Sequence, residues 1–278
     1  MTTRTSGMRA QREIWNELVG DAWVRYADIH DRQAAPFGDA AMTAVGSVAG
    51  ASVLDVGCGT GATSLTLADA GARDVLGVDL SAPMIGAARA ANTRRQVRFE
   101  AGDVLDLDEP AVYDVVFSRF GVMFFADPVG AFAHLKAFGS PAARLGFCCW
   151  GLPPDNQWMA LPVMATIPVL GTPTLAKPGE PGPFSLPTAD VIIDVLTRAG
   201  WFDVHVDELT LVEPHPAGDA DAVARVVVEF SPPIVEGLLE QPERRDDAVD
   251  AIADALRAFE RDGVVHLQSS ARIVTARA

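Results

Sequence analysis

The sequence predicts an α/β fold in which a mostly parallel sheet carries helices on both faces. From residue 52 onward, short apolar runs alternate with amphipathic segments, the first run leads into a glycine-rich turn, and an acidic residue lies at or beside the end of each of the first three runs. Alternation of this kind is typical of βα units. The chain has 278 residues, of which 49% are hydrophobic and 21% are charged, so it can bury a sizeable core.

Capping residues mark the helices between these apolar runs. Ser81 precedes Pro83 in a first helical turn, Asp127 precedes Pro128 in the same way, and Gly139 ends that second helix. The predicted strands are short runs rich in apolar residues, and they lie at 52–56, 74–78, 97–101, 113–118, 143–150, 204–212 and 266–276. The order of these elements predicts five βα units followed by two late strands.

The segments outside these units are interpreted as a cover over the carboxyl edge of the sheet. The core is expected at 46–150, completed by 188–278, and residues 1–45 are expected to form an N-terminal helical cap. Nine prolines in 151–187 predict an irregular insertion without long helices, because proline removes a backbone donor and obstructs the preceding helical turn. A further helical insertion is predicted at about 215–262.

Charge and composition argue against several classes of partner. The 22 Lys and Arg residues against 37 Asp and Glu residues give a net charge of −15, and no basic run offers a local exception. Such a surface repels phosphate backbones and anionic lipids, so we expect neither nucleic acid nor a membrane as partner. No signal-peptide core or 18-residue apolar run is found, and the three cysteines form neither a disulfide framework nor a metal pattern. A cytoplasmic location is therefore expected.

A glycine-rich turn follows the first predicted strand. The run Val53–Gly61 reads Val-Leu-Asp-Val-Gly-Cys-Gly-Thr-Gly and leads into a predicted helix. A strand, turn and helix in this order expose backbone N–H groups and a helix N-terminus to a polar ligand. Because Gly57, Gly59 and Ala62 also satisfy the G-x-G-x-x-A form of the dinucleotide fingerprint, the turn alone leaves a nicotinamide or flavin nucleotide site open.

Three aspartates at equal spacing favour a different cofactor. Asp55, Asp79 and Asp103 are separated by 24 residues in each interval, and each lies at or next to a strand end. A carboxylate two residues before Gly57 would repel a pyrophosphate but suits a ligand with a positively charged amino group. Asp79 is placed to accept hydrogen bonds from the hydroxyl groups of a ribose, which a SAM site and a dinucleotide site both contain. Each aspartate alone could also be a turn or helix cap.

These residues resemble the first motifs of class I S-adenosylmethionine (SAM)-dependent methyltransferases. Residues 117–128, Phe-Ser-Arg-Phe-Gly-Val-Met-Phe-Phe-Ala-Asp-Pro, resemble the segment after strand four in a bacterial small-molecule group of that class, similar to the ubiquinone and menaquinone biosynthesis type. The resemblance implies a Rossmann-like seven-stranded methyltransferase sheet whose final hairpin is antiparallel. It also implies SAM as the cofactor. Methyl transfer from SAM requires no metal.

The same resemblance implies roles for individual residues. Asp103 would accept a hydrogen bond from the amino group of adenine. Ser118 and Arg119 would contact cofactor or substrate. Arg119 could instead pair with an acidic neighbour. Trp15 and Trp23 lie in a segment that resembles the N-terminal helix closing over the cofactor. The candidate cofactor-binding residues are Trp15, Trp23, Asp55, Gly57, Cys58, Gly59, Gly61, Asp79, Leu80, Met84, Asp103, Val104, Ser118 and Arg119.

The expected reaction is methyl transfer to a small molecule. Methyl transfer from a sulfonium is an in-line displacement, in which the protein aligns the reactants and excludes water. We expect an apolar acceptor, because apolar residues are frequent in 159–170, and no histidine is assigned as a base. A SAM-binding enzyme of cyclase or decarboxylase type, a nucleotide-dependent oxidoreductase, and a binding protein with a degenerate pocket stay open. Methylation at oxygen, nitrogen or carbon also stays open, as does the oligomeric state, a homodimer among the options.

Overall fold

Seven strands of the computed structural model form one continuous sheet in the order β3-β2-β1-β4-β5-β8-β6. The structure describes residues 11–107, 112–177 and 179–278. The strands in this part of the chain are β1 (Ser52–Val56), β2 (Asp74–Asp79), β3 (Val97–Ala101), β4 (Tyr113–Arg119), β5 (Gly139–Trp150), β6 (Phe202–Pro214), β7 (Glu260–Arg261) and β8 (Val264–Arg277). The two-residue β7 pairs with β8 alone.

Helices flank the sheet on both faces and cover its carboxyl edge. The α-helices are α1 (Gly20–Arg25), α2 (Ala27–Val45), α3 (Ala62–Asp69), α4 (Ala82–Ala91), α5 (Pro128–Phe138), α6 (Gln157–Leu170), α7 (Ala189–Arg198), α8 (Ala220–Phe230), α9 (Pro232–Glu240) and α10 (Arg245–Leu256). A π-helical turn precedes them at Ile14–Leu18, and short 3₁₀ turns lie at Val104–Asp106, Val122–Phe124, Pro153–Asp155, Pro242–Arg244 and Arg257–Phe259.

The central strands are parallel and the late hairpin is antiparallel. β1 pairs in parallel with β2 and β4, while β8 runs antiparallel between β5 and β6. Every residue of β1 is buried, as expected for a strand covered on both faces. The predicted fold class, a Rossmann-like seven-stranded methyltransferase sheet, is therefore confirmed. This arrangement brings the carboxyl ends of β1 to β5 to one edge.

The predicted capping residues begin their helices. Ser81 Oγ accepts a hydrogen bond from Met84 N at 3.3 Å, and Asp127 Oδ1 accepts one from Gly130 N at 3.0 Å. Each satisfies a backbone N–H that has no partner within the helix. Both helices therefore begin at the residue that the sequence indicated.

The prediction of an irregular segment at 151–187 was wrong for its first half. Helix α6 runs for 14 residues with Pro162 and Pro168 inside it. Its buried residues Trp158, Pro162 and Thr166 follow each other at intervals of four and share one face. Helix α6 packs against α10 and α9, and this packing offsets the loss of the backbone donor at Pro162. Residues 171–177 and 179–187 contain no helix or strand, as predicted.

The N-terminal and late helices close over the sheet edge. Helix α2 packs on β5 and β8, whereas α1 reaches across to α4 and α8. Helices α8, α9 and α10 lie between β6 and β8 in the chain, and both α9 and α10 pack on α6 and on α8. Within the described residues, no helix is both long and apolar enough to cross a bilayer.

Candidate functional site

A cavity of about 810 Å³ lies where the carboxyl ends of the central strands meet the covering helices. Three of the predicted site residues, Asp55, Gly61 and Ser118, do not line it. The other eleven do, and they are Trp15, Trp23, Gly57, Cys58, Gly59, Asp79, Leu80, Met84, Asp103, Val104 and Arg119. The structure therefore brings together residues that are far apart in the sequence.

The glycine turn is fixed by backbone conformation and by close packing. Gly57, Gly59 and Gly61 have φ of +68°, +55° and +89°, values that favour glycine. A Cβ on Gly57 would lie 2.6 Å from the Cα of Gly121, and a Cβ on Gly61 would lie 2.6 Å from Cζ of Phe99. The turn is thus pressed between the segment after β4 and the strand β3, while Gly59 faces the cavity.

Asp79 joins the glycine turn to the start of helix α4. Its Oδ2 accepts a hydrogen bond from Gly59 N at 2.8 Å, and its Oδ1 accepts one from Ser81 N at 2.8 Å. Burial raises the pKa of Asp79, and these two N–H donors oppose that rise. Each oxygen keeps a second lone pair, so the carboxylate can still accept hydrogen bonds from a ligand.

Asp103 lies on the cavity wall and is also a turn cap. Its Oδ1 accepts a hydrogen bond from Leu105 N at 2.9 Å, which begins the 3₁₀ turn after β3. Val104 follows it on the wall and is buried. The capping role and a ligand-binding role are compatible, because Asp103 Oδ2 takes no part in that hydrogen bond.

Asp55 is buried behind the glycine turn. Its Oδ2 accepts a hydrogen bond from Ser64 Oγ at 2.6 Å, whereas its Oδ1 has no hydrogen-bond partner in the described part of the chain. Burial raises its pKa to about 6; the Ser64 hydroxyl and the charge of Arg119 oppose that rise, and the charge of Asp79 adds to it. The carboxylate therefore stands one layer behind the cavity, where its charge acts through the turn.

Ser118 connects the end of β4 to the end of β1. Its Oγ donates a hydrogen bond to Val56 O at 2.7 Å and accepts one from Gly121 N at 3.1 Å. A Cβ on Gly121 would lie 2.5 Å from Val56 O, so the two segments are in direct backbone contact. In this structure Ser118 shapes the cavity floor from behind.

Arg119 and Asp31 form an ion pair on the cavity wall. The two side chains are 15% and 29% exposed, so the pair is partly shielded from solvent. Gly38, seven residues after Asp31 on helix α2, leaves room for the arginine, since a Cβ there would lie 2.8 Å from Arg119 Cδ. The acidic partner that the sequence left as an alternative for Arg119 is therefore present.

Aromatic rings that the sequence analysis did not assign to the site form the far wall of the cavity. Phe120 stacks on Trp150 with ring centroids 3.8 Å apart and an angle of 12° between the planes. Trp158 contacts Trp150 edge-on, with centroids 5.2 Å apart. All three residues line the cavity. Trp150 ends β5 and Trp158 lies in the first turn of α6, so only the strand and helix boundaries could have indicated these two residues.

A second aromatic group stands on the side of the N-terminal cover. His30 stacks on Trp23 with centroids 3.9 Å apart and contacts Phe230 edge-on. Burial, together with the smaller effects of the neighbouring His215 and Arg119, lowers the pKa of His30 to about 3. The imidazole is therefore uncharged near neutral pH and is a weak proton acceptor for a hydroxyl group.

Asn16 attaches this cover to the loop after β2. Its Nδ2 donates a hydrogen bond to Leu80 O at 3.0 Å, and its Oδ1 accepts one from Ala82 N at 2.8 Å. Trp15 beside it contacts Trp23 and Phe124 edge-on. Asn16 follows Trp15 in the segment that resembles the N-terminal helix over the cofactor, but no sequence pattern gave Asn16 a role. Within the described residues, no group of three or more His, Cys, Asp or Glu side chains is placed to hold a metal ion.

Comparison with known proteins supports the same class. The methyltransferase domain family matches residues 53–141. The chain is 42% identical over 99 residues to cypemycin N-terminal methyltransferase from Streptomyces sp, a match that spans 33% of this chain and only 40% of that protein. It is 30% identical over 164 residues to aklanonic acid methyltransferase DauC from Streptomyces sp. (strain C5), which spans 52% of this chain and 74% of that protein.

A solved structure supports the fold independently. YcgJ protein from Bacillus subtilis superposes with a TM-score of 0.55 at 15% identity, over 84% of this chain and 94% of that one. The sheet order and the glycine turn define a Rossmann-like protein with its site at the carboxyl edge of the sheet. The chain belongs to the class I SAM-dependent methyltransferase family, a family of enzymes whose cofactor is S-adenosylmethionine.

Proposed function

We propose that this chain transfers the methyl group of SAM to a small, apolar acceptor by in-line displacement. The observation that carries the proposal is the single cavity of about 810 Å³, which is lined by the glycine turn and two aspartates on one side and by aromatic side chains on the other. Cofactor and acceptor would meet inside the same cavity. Enclosure aligns the reactants and excludes water, which is the main contribution a protein makes to this reaction.

The residues on the glycine-turn side of the cavity fit the cofactor. Asp79 offers carboxylate oxygens for the ribose hydroxyls, and Asp103 offers Oδ2 for the adenine amino group. The backbone at Gly57, Cys58 and Gly59 lines the cavity. At Gly59 it leaves open space, since a Cβ built there would have only the Sδ of Met84 within 4 Å, at 3.7 Å. Leu80, Met84 and Val104 add apolar surface suited to a flat base.

The three predicted residues that do not line the cavity would act from behind it. The negative charge of Asp55 would favour the amino group of the cofactor through the glycine turn. Gly61 allows the turn to pack on Phe99, and Ser118 holds the segment after β4 against β1. The tryptophans Trp15 and Trp23 would close the cavity from the N-terminal side.

The residues on the aromatic side of the cavity would bind and orient the acceptor. The bound cofactor supplies an electrophilic methyl group, and the chain holds the acceptor against it. Arg119 is paired with Asp31, and His30 is uncharged near neutral pH, so neither residue offers a free charge to the acceptor. No residue is assigned as a general base. The names of the two Streptomyces relatives give unlike acceptors, so the acceptor class rests on the cavity alone.

Transfer of a labelled methyl group tests this proposal. The protein is incubated with methyl-labelled SAM and a small-molecule extract of the cells that express it. We expect label in the organic phase with the wild type, and at least tenfold less with Asp79→Ala, because a charged hydrogen-bonding group is lost. Asp106→Ala removes an exposed carboxylate that follows Asp103 closely but does not line the cavity, and should leave the transfer unchanged. Label confined to the protein fraction would contradict a small acceptor.

A further inference from the structure

We propose that Gln11 binds the carboxylate of the cofactor's methionyl group, and that this contact lets the chain distinguish SAM from cofactor forms without a carboxylate. Gln11 lies in the N-terminal cover and is not among the cofactor-binding residues that the sequence indicated. This inference rests on the proposed function and adds a specificity-determining residue to the same site. Three observations carry it: the orientation of the Gln11 amide, the course of the cover above the glycine turn, and the charges around that turn.

The Gln11 amide is held with its oxygen towards Trp15. Trp15 Nε1 donates a hydrogen bond to Gln11 Oε1 at 3.0 Å, and an indole N–H can only donate. The amide nitrogen Nε2 therefore faces away from Trp15, and it has no hydrogen-bond partner among the residues that the structure describes. Gln11 is 8% exposed and lines the cavity, and its Nε2, unlike Nε1 of Trp158, keeps accessible surface. Its two N–H donors are available to a ligand.

The segment that carries Gln11 passes over the glycine turn. In the sheet β1 lies between β2 and β4, and the glycine turn follows β1. The Asn16 side chain is hydrogen-bonded to the loop after β2, while the Trp15 ring contacts Phe124 after β4. A segment attached to both neighbours of β1 crosses the end of β1. Gln11 lies one helical turn before Trp15, above the region where the proposed function has the methionyl group.

The charges around the glycine turn direct a carboxylate towards the cover. Asp55 lies behind the turn and Asp79 lies beside it, so both attract the amino group of the methionyl part and repel its carboxylate. Arg119 is paired with Asp31 and offers no free positive charge. The carboxylate is therefore most favourably placed on the side away from the turn, where the cover lies.

The backbone of the glycine turn leaves few donors for this carboxylate. Four of its five N–H groups, at residues 57, 58, 59 and 61, already donate to Val78 O, Asp79 Oδ2 or Cys58 O. Gln11 supplies two donors from the opposite side. A hydrogen bond from an amide to a carboxylate is charge-assisted and about twice as strong as a neutral one. The methionyl group would thus be held with its amino group towards the turn and its carboxylate towards Gln11.

Calorimetry with a matched pair of ligands tests the inference. S-adenosylhomocysteine carries the carboxylate, and its decarboxylated analogue keeps the adenosyl group, the sulfur and the amino group. We expect the wild type to bind S-adenosylhomocysteine about tenfold more tightly than the analogue, because the analogue cannot accept the charge-assisted hydrogen bond. The ratio of the two affinities is the quantity to compare, since a general loosening of the cover would weaken both ligands alike.

Two variants assign this ratio to the Gln11 amide. Gln11→Glu keeps an oxygen for Trp15 Nε1 but replaces the donor with a negative charge, so the analogue should bind more tightly than S-adenosylhomocysteine. Gln11→Met removes the donors without adding a charge, and the two ligands should bind about equally. Thermal unfolding shows whether each variant is folded, and an unfolded variant leaves the other as the test.

A third variant controls for the added charge. Gln33 on helix α2 also lines the cavity but lies on the far side of the Asp31–Arg119 pair from the N-terminal segment in sequence. Gln33→Glu adds the same charge as Gln11→Glu, and we expect it to change the ratio of affinities by less than about twofold, since the charge does not replace a contact to the carboxylate.

The inference is overturned if the wild type binds both ligands equally, if Gln11→Glu keeps the wild-type ratio, or if Gln33→Glu lowers the ratio as much as Gln11→Glu does. Binding of S-adenosylhomocysteine by the wild type separates these results from a failure of the proposed function. If S-adenosylhomocysteine binds and the ratio does not depend on Gln11, only the role of Gln11 is wrong. If S-adenosylhomocysteine does not bind, the proposed methyl transfer fails first.

Discussion

Arg119 at the end of β4 and Asp31 on helix α2 form an ion pair that joins the sheet edge to the N-terminal cover. The pair lies on the wall of the cavity between the glycine turn and the aromatic rings. The pair therefore holds the N-terminal helices against the end of β4, beside the part of the cavity proposed for the acceptor. This relationship makes the N-terminal helices part of the site, although they are remote from the glycine turn in sequence.

The Asp31–Arg119 pair should stabilise the fold measurably. Asp31→Asn leaves the guanidinium partly buried without a counter-charge, and we expect the free energy of unfolding to fall by about 1–2 kcal/mol. Urea denaturation measures this change. Asp28→Asn on the same helix removes an exposed pair with Arg32 and should cost less than about 0.5 kcal/mol. Equal losses of unfolding free energy in the two variants would contradict a larger contribution from the partly buried Asp31–Arg119 pair.

Asp55 should make stability depend on pH in the acid range. Its pKa is raised from 3.8 to about 6 in the folded protein, so the folded state binds an extra proton between these values. Relative to Asp55→Asn, the wild type should lose stability as the pH rises through this window, by on the order of 2–3 kcal/mol, and the loss should level off above about pH 6. Urea denaturation of both proteins across this range measures the difference. Parallel profiles would contradict a buried carboxylate here.

Asn16 should slow the release of the cofactor product. Asn16→Ala removes both hydrogen bonds to the loop at Leu80 and Ala82, and we expect S-adenosylhomocysteine to dissociate about three to ten times faster. Stopped-flow fluorescence follows this rate. Asn92→Ala also removes two hydrogen bonds, to Val97 and Arg94, but outside the cavity. That control should leave the dissociation rate unchanged; a faster rate in both variants would refute a specific role of the cover.

Gly57 should tolerate no side chain. Gly57→Ala places a Cβ 2.6 Å from Gly121 Cα at a φ of +68°, so the glycine turn and the segment after β4 must separate. We expect a loss of at least about 3 kcal/mol in the free energy of unfolding. Gly86→Ala, with open space in helix α4, should instead stabilise the protein by about 0.5–1 kcal/mol. Thermal unfolding of both variants measures the contrast, and a stable Gly57→Ala protein would contradict the packing described for the turn.

The sequence was most informative where local pattern and chemistry coincide. β1 and β3 have the predicted bounds, because each is a short apolar run next to clear turn residues. Asp79 and Asp103 lie on the cavity wall, since parallel strands deliver their carboxyl ends to one edge. Asp55 shares their spacing but stands behind the wall, because it precedes the end of its strand by one residue.

The features that the sequence did not predict depend on contacts between residues far apart in the chain. Helix α6 forms despite Pro162 and Pro168, because its apolar face is buried against α10 and α9, an interaction that no local pattern records. The stacking of Phe120 on Trp150 depends on a positive φ and on the arrival of β5 beside β4. The partner of Arg119 lies 88 residues away in the chain. Such contacts follow from the folded sheet and cover rather than from any motif.

Isothermal titration of S-adenosylhomocysteine into wild type and Asp79→Ala tests the central claim most directly. The account predicts that the wild type binds S-adenosylhomocysteine in the micromolar range or tighter and does not bind NADH. Asp79 accepts hydrogen bonds from Gly59 N and Ser81 N, and in the proposed function it would also accept them from the ribose, so Asp79→Ala should weaken this binding by about ten to one hundred times. Binding of NADH by the wild type, or undiminished binding of S-adenosylhomocysteine by Asp79→Ala, would contradict the account.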